Sequence, residues 1–420
     1  MGLIGIMSSD ANAVDIEPAP QQATRPGLTT GLILLMALGT GLIVANLYYI
    51  QPLMGRIARG FQVREAIIGY AVTLCQAGLA LGTLTILPLG DVRDRRKLIT
   101  LSCIGSATSL LVMAFSPNVW VFLAANLVLG FSSIATHLLV SYAAHLADPA
   151  RRGHAVGAVM SGLLIGILLA RVVSGYAGQW IGWRHVLMVA AGITLLLGVA
   201  LRMRLPKDTD SQAIGYGELL ASMPRLFFTQ RVLRNSCIYG ALTFAAFNAF
   251  WATLTFHLEA PPFGMQPQAI GLFSLVAVAG ALAANGAGRL TARIHPVKII
   301  LASLVITLVS FGIFYGGGLT ISGMVAGVVL MDLGIQATHI SNQTRIHALM
   351  PAVRNRLHCV YMVSYFVGGS LGSGIGTWSF ARMGWAGLCL SGAIFSALAL
   401  GWWLLELRVA KRRGQWPIRA

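Results

Sequence analysis

Two charged residues lie far inside long apolar stretches of this sequence. Of the 13 acidic residues, all but Asp332 fall in tails, in loops or at the ends of apolar runs, and Arg171 is the only basic residue at similar depth. A buried carboxyl group changes its affinity for a proton when its hydration changes, as a proton carrier must. Two interpretations stay open. Either Asp332 carries a coupled proton and pairs with Arg171 during a cycle, or it is a neutral hydrogen-bond donor while Arg171 stabilises its own helix.

Other patterns that could carry chemistry are scarce. The five cysteines all lie in apolar runs, with no CxxC pair and no histidine at metal-ligand spacing, and no GxSxG, HExxH or P-loop motif occurs. The sequence therefore predicts no enzyme activity, no cofactor and no metal site. The net charge of +17 would suggest nucleic acid in a soluble protein. Here the basic residues stand in short loops between apolar runs, so no nucleic-acid partner is expected.

The elements that must position Asp332 and Arg171 are membrane-spanning helices. Hydrophobic residues make up 56% of the chain and charged residues only 10%, and the mean hydropathy is +0.75. A helix needs about 20 apolar residues to cross a bilayer, and lipid leaves no partner for unpaired backbone groups. The sequence predicts an all-α membrane protein with twelve spans, over residues 28–50, 66–89, 98–115, 119–146, 154–178, 186–203, 233–254, 269–290, 297–315, 319–340, 357–380 and 388–405.

Loop charge predicts the orientation of these spans, because Lys and Arg are enriched in cytoplasmic loops. Of the 30 Lys and Arg residues, 24 lie in the tails and in or beside the even-numbered loops, against five in the odd-numbered loops. Both termini are therefore expected in the cytoplasm. Residues 1–27 lack the features of a signal peptide and are expected to form a disordered cytoplasmic tail.

The sequence also repeats itself at an offset of 202 positions, the separation between His137 and His339. The same offset pairs Asn46 with Asn248, Gly78 with Gly280, and Gly182-Trp183 with Gly384-Trp385. Such parallel repeats are typical of transporters whose two halves rock about a central seam. We expect a bundle over 28–203, a linker over 204–232, a second bundle over 233–407, and a basic tail over 408–420. A duplicated membrane sensor without transport is the alternative of another class.

The loop after the second predicted span carries charges in a recognisable order. It reads Leu87-Pro-Leu-Gly-Asp91-Val-Arg-Asp-Arg95-Arg96-Lys97 and resembles the G-x-L-a-D-r-x-G-r-r loop of the major facilitator superfamily, although Leu87, Val92 and Asp94 depart from it. The resemblance implies that Asp91, with Arg95 and Arg96, latches one side of the transporter through charge-assisted hydrogen bonds. Alternatively, the basic residues only orient the loop. The second copy, residues 286–293, contains no acid.

Two further segments resemble the twelve-span drug:proton antiporter branch of that superfamily, which includes bacterial exporters of drugs, sugars and metabolites. They are Ala45 to Pro52 at the end of span one and Gly162 to Gly166 in span five. The span-five signature G-x-x-x-G-P-x-x-G-G lacks its proline, because Ile167 stands there. The resemblance implies a monomeric exporter of a small amphipathic molecule in the bacterial inner membrane, driven by protons. An importer or uniporter of a metabolite is the alternative within transport.

In this superfamily spans one, four, seven and ten line the central cavity, so the resemblance also points to candidate site residues. Substrate contacts are expected from Asn46, Tyr49, Gln76, Asn248 and Trp251, since aromatic and amide groups suit an amphipathic ligand. For the two asparagines a helix-to-helix hydrogen bond is the alternative. His137 and His339 occupy equivalent places and are candidates for a proton relay, or else for structural hydrogen bonds.

Overall fold

A computed structural model describes residues 28–148, 151–207, 215–277, 279–280, 294–350 and 353–412. The described chain is helical, with a 3₁₀ turn over Gln51–Leu53. Its helices, numbered here in chain order, are α1 (Thr30–Ala45), α2 (Met54–Phe61), α3 (Glu65–Leu89), α4 (Arg95–Ala114), α5 (Val119–Ser132), α6 (Ala135–Leu146), α7 (Arg152–Arg204), α8 (Tyr216–Thr229), α9 (Arg231–Glu259), α10 (Pro267–Phe273), α11 (Pro296–Gly317), α12 (Ile321–His347) and α13 (Arg354–Arg412).

Eight helical segments are long and apolar enough to cross a membrane, and one of them, Val119–Leu146, is made of α5 and α6 together. Two of them, α7 and α13, each hold two predicted spans, which a kink separates at Gly182 (φ 79°) and Gly384 (φ 60°). Glycine is required at both kinks because other residues rarely adopt positive φ. Helix α1 forms the first predicted span. Helix α10 lies at the start of the eighth predicted span, 269–290, most of whose other residues are outside the described part. Leucines such as Leu196 and Leu371 are exposed on the outer surface, where acyl chains would contact them.

The 202-residue repeat is visible in the backbone. Gln62 and Gly264 both have left-handed φ angles, 56° and 57°, and stand 202 positions apart, as do the two kink glycines. Asn118 and Thr320 are related by the same offset, and each caps the first turn of its helix with its own side chain. Local conformation therefore follows the duplication even where the residue types differ.

The duplication also determines where Asp332 lies. A Cβ atom added to Gly78 of α3 would overlap the backbone oxygen of Leu127 in α5, so these helices cross in close contact. In the second half, a Cβ atom at Gly280 would lie 2.6 Å from the Cβ of Asp332 and 2.7 Å from the oxygen of Val329. The second pair of helices therefore crosses at the equivalent positions. Asp332 stands where the first half has a glycine, Gly130, which places its carboxyl group at a tight helix crossing.

Two helix pairs make the most extensive contacts between the halves. Helix α3 lies against α13, where the Ser373 hydroxyl donates to Thr73 Oγ1 at 3.0 Å. Helix α7 lies against α10, and Gly175 there packs on the backbone of Pro267. These two helix pairs form the seam between the halves.

The linker between the halves, predicted as a loop, contains helix α8. Its apolar face, with Leu219 and Met223 buried, packs on both halves. The Tyr216 hydroxyl donates to the Thr85 oxygen at 2.9 Å in the first half, and Met223 contacts Cys359 in the second. Helix α8 therefore bridges the α3–α13 seam on the side of the molecule where the described residues begin, at Leu28, and end, at Arg412. This side is called here the terminus side.

Candidate functional site

Arg171 is held rigidly in the centre of the molecule. Its side chain is 3% exposed, its Nε donates to Gln51 Oε1 at 2.7 Å, and its guanidinium carbon lies 4.0 Å from the Trp251 ring centre and 4.8 Å from that of Tyr48. The close approach of α10 needs Gly271, because a Cβ there would overlap the Arg171 carbonyl oxygen. Aromatic faces attract the guanidinium cation and fix its plane. Within the described chain, Nη2 has no hydrogen-bond partner.

Asp332 approaches this cation from the other half of the molecule. It is 3% exposed, and its Oδ2 also has no hydrogen-bond partner among the described residues. Its carboxyl group interacts electrostatically with Arg171, but the two side chains form no ion pair within 4.0 Å. Tyr365 of α13 also lies near it. The predicted pair is thus brought together across the seam, with the charges separated.

Gln76 and Asn248 join the two halves beside this pair. The Gln76 Nε2 donates to Asn248 Oδ1 at 2.7 Å, and both residues are buried. Two further polar atoms here, Gln76 Oε1 and Trp251 Nε1, have no partner in the described structure. A small cavity, whose lining includes Tyr48, Gln51, Cys75 and Gln76, lies beside Gln76 and the residues that hold Arg171. Gln76, Arg171, Asn248, Trp251 and Asp332 are called the central cluster below.

The structure does not bring the other two predicted cavity residues into this cluster. Asn46 donates from Nδ2 to Thr194 Oγ1 at 2.9 Å, within the first half. Tyr49 is partly buried against the apolar core of the same half. Tyr48 and Gln51 face the centre instead and were not predicted. Because residues 46–50 form turns outside the regular helix, the helical period of span one does not show which side chains point inward.

The two predicted histidines lie closer to the terminus side. His137 Nδ1 is 3.1 Å from Thr136 Oγ1, and its ring meets Phe366 edge-on at 5.8 Å. His339 Nδ1 lies 2.9 Å from the Tyr361 hydroxyl. The two imidazoles lie near each other across the halves. His358 of α13, which is not one of the predicted site residues, lies near both, and its Nδ1 has no hydrogen-bond partner in the described structure.

The predicted latch lies where α3 ends. Asp91 accepts from Arg95 Nη2 at 3.1 Å, and Arg96 Nη1 donates to the Leu205 oxygen at 3.2 Å. Close by, the Cys359 thiol of α13 donates to the Thr83 oxygen of α3 at 3.1 Å. The latch loop therefore faces the second half of the molecule near the start of α13. Its second copy, residues 286–293, lies outside the described residues.

Comparisons with known proteins agree with this architecture. A family model described as Major Facilitator Superfamily matches residues 36–373. YgaY of Escherichia coli (strain K12), named as a transporter, is 39% identical over 383 residues, covering 90% of this chain and 97% of that protein. SCO4007 of Streptomyces coelicolor, also named as a transporter, is 32% identical over 380 residues, covering 90% of this chain and 87% of that protein.

Solved structures show the same fold. The crystal structure of the nucleoside transporter NupG superposes with a TM-score of 0.70 at 15% identity, covering 90% of this chain and 98% of that one. At this identity the likeness concerns the fold alone. The predicted arrangement of twelve transmembrane helices in two six-helix bundles is thereby confirmed. The chain belongs to the Major Facilitator Superfamily of membrane transporters.

Proposed function

We propose that this protein is a proton-coupled exporter of a small amphipathic molecule that works by alternating access. In this proposal it acts as a monomer in the bacterial inner membrane, the terminus side is cytoplasmic, and the bundles over 28–203 and 233–407 rock about the seam. The observation that carries the proposal is the buried carboxyl group of Asp332, whose Oδ2 lacks a partner in the described structure although Arg171 lies opposite.

Asp332 suits the coupling role because it lies at the junction of the two halves. Rocking the halves apart on either side would bring water to the carboxyl group and change its separation from Arg171. Both changes alter the relative free energies of the protonated and charged forms. A proton bound from one side is then released to the other, which links proton flow to the movement of the halves.

Export by antiport is supported by the packing of the span-five glycines. A Cβ at Gly162 would overlap the Ala37 oxygen, and a Cβ at Gly166 would overlap the Gly41 oxygen. Spans one and five therefore touch backbone to backbone within the first half. The glycines of the antiporter signature serve this contact even though Ile167 replaces its proline.

The proposal is tested in two steps. Inside-out vesicles are first screened with labelled drugs, sugars and amino acids to find a transported solute, and a sensor would bind without any flux. Asp332→Asn is then compared with wild type in proteoliposomes. Accumulation driven by a pH gradient should fall to the equilibrium level, while exchange without a gradient survives. Asp148→Asn, which removes an exposed acid, is the control. Full gradient-driven accumulation by Asp332→Asn would exclude the coupling role.

A further inference from the structure

The central cluster contains four buried polar atoms that have no hydrogen-bond partner in the described structure. Two are donors, Arg171 Nη2 and Trp251 Nε1, and two are acceptors, Asp332 Oδ2 and Gln76 Oε1. A buried polar atom without a partner typically costs about 1–3 kcal/mol, and more when charged. Four such atoms of complementary kind at one seam indicate a site that is completed by a ligand with both donors and acceptors.

The charges of Arg171 and Asp332 indicate which class of ligand the site binds. Arg171 and Asp332 belong to opposite halves, are each 3% exposed, and remain more than 4.0 Å apart. We propose that the central cluster binds a zwitterionic small molecule of the α-amino acid type, with its carboxylate on Arg171 and its ammonium group on Asp332. The inference deepens the proposed function by naming a substrate class for the same site.

The surroundings of Arg171 favour recognition of a carboxylate. Gln51 holds its Nε, and the rings of Tyr48 and Trp251 fix the guanidinium plane. Because the guanidinium group is already oriented, little conformational entropy is lost when a carboxylate binds its free Nη2. Trp251 Nε1 offers a second donor to the same anionic end.

An aromatic wall around the cluster suits an apolar side chain on the ligand. The Phe247 ring lies 6.0 Å from Trp251, and Phe244 stacks on Tyr365 at 3.8 Å. Rings of this kind give apolar contact without further charge. We therefore expect amino acids with aromatic or large aliphatic side chains to bind more tightly than glycine.

The site also explains how substrate and proton could exchange. The ammonium group of the ligand and a proton would both neutralise the Asp332 carboxylate, so binding of one opposes binding of the other. A neutral sugar could form hydrogen bonds with the four atoms but would leave both charges without a counter-charge. The charge arrangement therefore favours a zwitterion over a polyol.

The test measures equilibrium binding to purified full-length protein. The protein amino acids are first screened at millimolar concentration by thermal shift, with glucose as the neutral comparison. Labelled L-phenylalanine is then displaced by phenylalaninamide, which lacks the carboxylate, and by 3-phenylpropionate, which lacks the amine. We expect wild type to bind phenylalanine about tenfold more tightly than either analogue, since each loses one charged contact.

Two variants assign the contacts. Arg171→Gln should bring phenylalanine and its amide to similar affinity, and Asp332→Asn should do the same for phenylalanine and phenylpropionate. Arg382→Gln and Asp148→Asn, at exposed positions, should keep the wild-type ranking. If a variant does not fold, the wild-type ranking of the three ligands still tests whether the site binds a zwitterion. Absence of amino-acid binding, equal affinity for all three, or tighter glucose binding would overturn the inference. Zwitterion binding without gradient-driven accumulation would instead refute only the proposed coupling.

Discussion

At the scale of single residues, Asp91 is the acid that faces the second half from the latch loop. It pairs with Arg95 at 3.1 Å, and α13 of the second half approaches α3 close by, where the Cys359 thiol donates to the Thr83 oxygen. If this charge stabilises the closed state of the terminus side, Asp91→Asn should lower turnover about tenfold, equivalent to roughly 1.4 kcal/mol in the activation barrier. Membrane insertion and abundance should stay near wild type, as measured by fluorescence of a tagged protein.

Asp94 provides a matched control in the same loop. It caps α4 by accepting from the Arg96 backbone at 3.0 Å, and asparagine caps a helix about as well as aspartate does. Asp94→Asn thus removes one acidic charge from this loop but keeps its conformation. Turnover should remain close to wild type. Equal loss in both variants would mean that the loop needs only its overall charge, and unchanged turnover in Asp91→Asn would remove the latch role.

Single charged residues could be predicted from the sequence better than their neighbours could. Asp332 and Arg171 stand out because a charge within an apolar run is rare and costly. Tyr48 and Gln51 could not be found in this way, because the chain leaves regular helix after Ala45 and the helical period no longer applies. His358 lies near His137 and His339 because separate helices pack together, which no local pattern encodes.

At the scale of helices, the contact between spans one and five depends on glycine. An alanine at Gly166 would place its Cβ against the Gly41 backbone, which side-chain rotation cannot relieve. Gly166→Ala should therefore destabilise the folded protein by about 1–3 kcal/mol, measured as a lower midpoint of thermal unfolding in detergent. Gly157 in the same helix has no atom within 4 Å of an added Cβ.

Gly157→Ala is accordingly the control for Gly166→Ala. Alanine is a better helix former than glycine by roughly 0.8–1 kcal/mol, so this variant should match or exceed wild-type stability. Comparable destabilisation in both variants would show that the glycines matter for helix flexibility and not for close packing. Increased stability of Gly166→Ala would contradict the backbone contact itself.

Hydropathy predicted where the spans lie, but it did not predict how consecutive spans are connected. The predicted spans over 154–178 and 186–203 are two helical parts of α7 that follow one another without a loop, and Gly182, whose backbone angles are not helical, turns the chain between them. The short helices α2 and α8 were not predicted, because each lies in a segment that is too polar to register as a span. Their helical structure depends on tertiary packing of one apolar face, which composition alone does not reveal.

At the scale of the whole molecule, the side opposite the termini is closed by contacts between the halves. Arg59 Nη1 lies 3.0 Å from Glu259 Oε2, and the Thr255 hydroxyl donates to the Gln51 oxygen at 2.7 Å. Gly55 lies directly against the Glu259 carboxyl group, so the α2 segment packs on the end of α9. Alternating access requires these contacts to break when the protein opens to that side.

Reversing one charge should therefore favour the state that is open on the side opposite the termini. Glu259→Lys places a like charge beside Arg59, and we expect labelling of Cys75, a buried cavity residue, by an impermeant maleimide from that side to rise about threefold to fivefold. The other cysteines are replaced by alanine.

Arg59→Glu combined with Glu259→Lys should restore slow labelling, because the pair is re-formed with reversed charges. Glu218→Lys, an exposed change on the terminus side, should have no effect. If the double variant labels as fast as Glu259→Lys alone, the ion pair does not hold this side closed, and the Thr255 to Gln51 contact must do so without it.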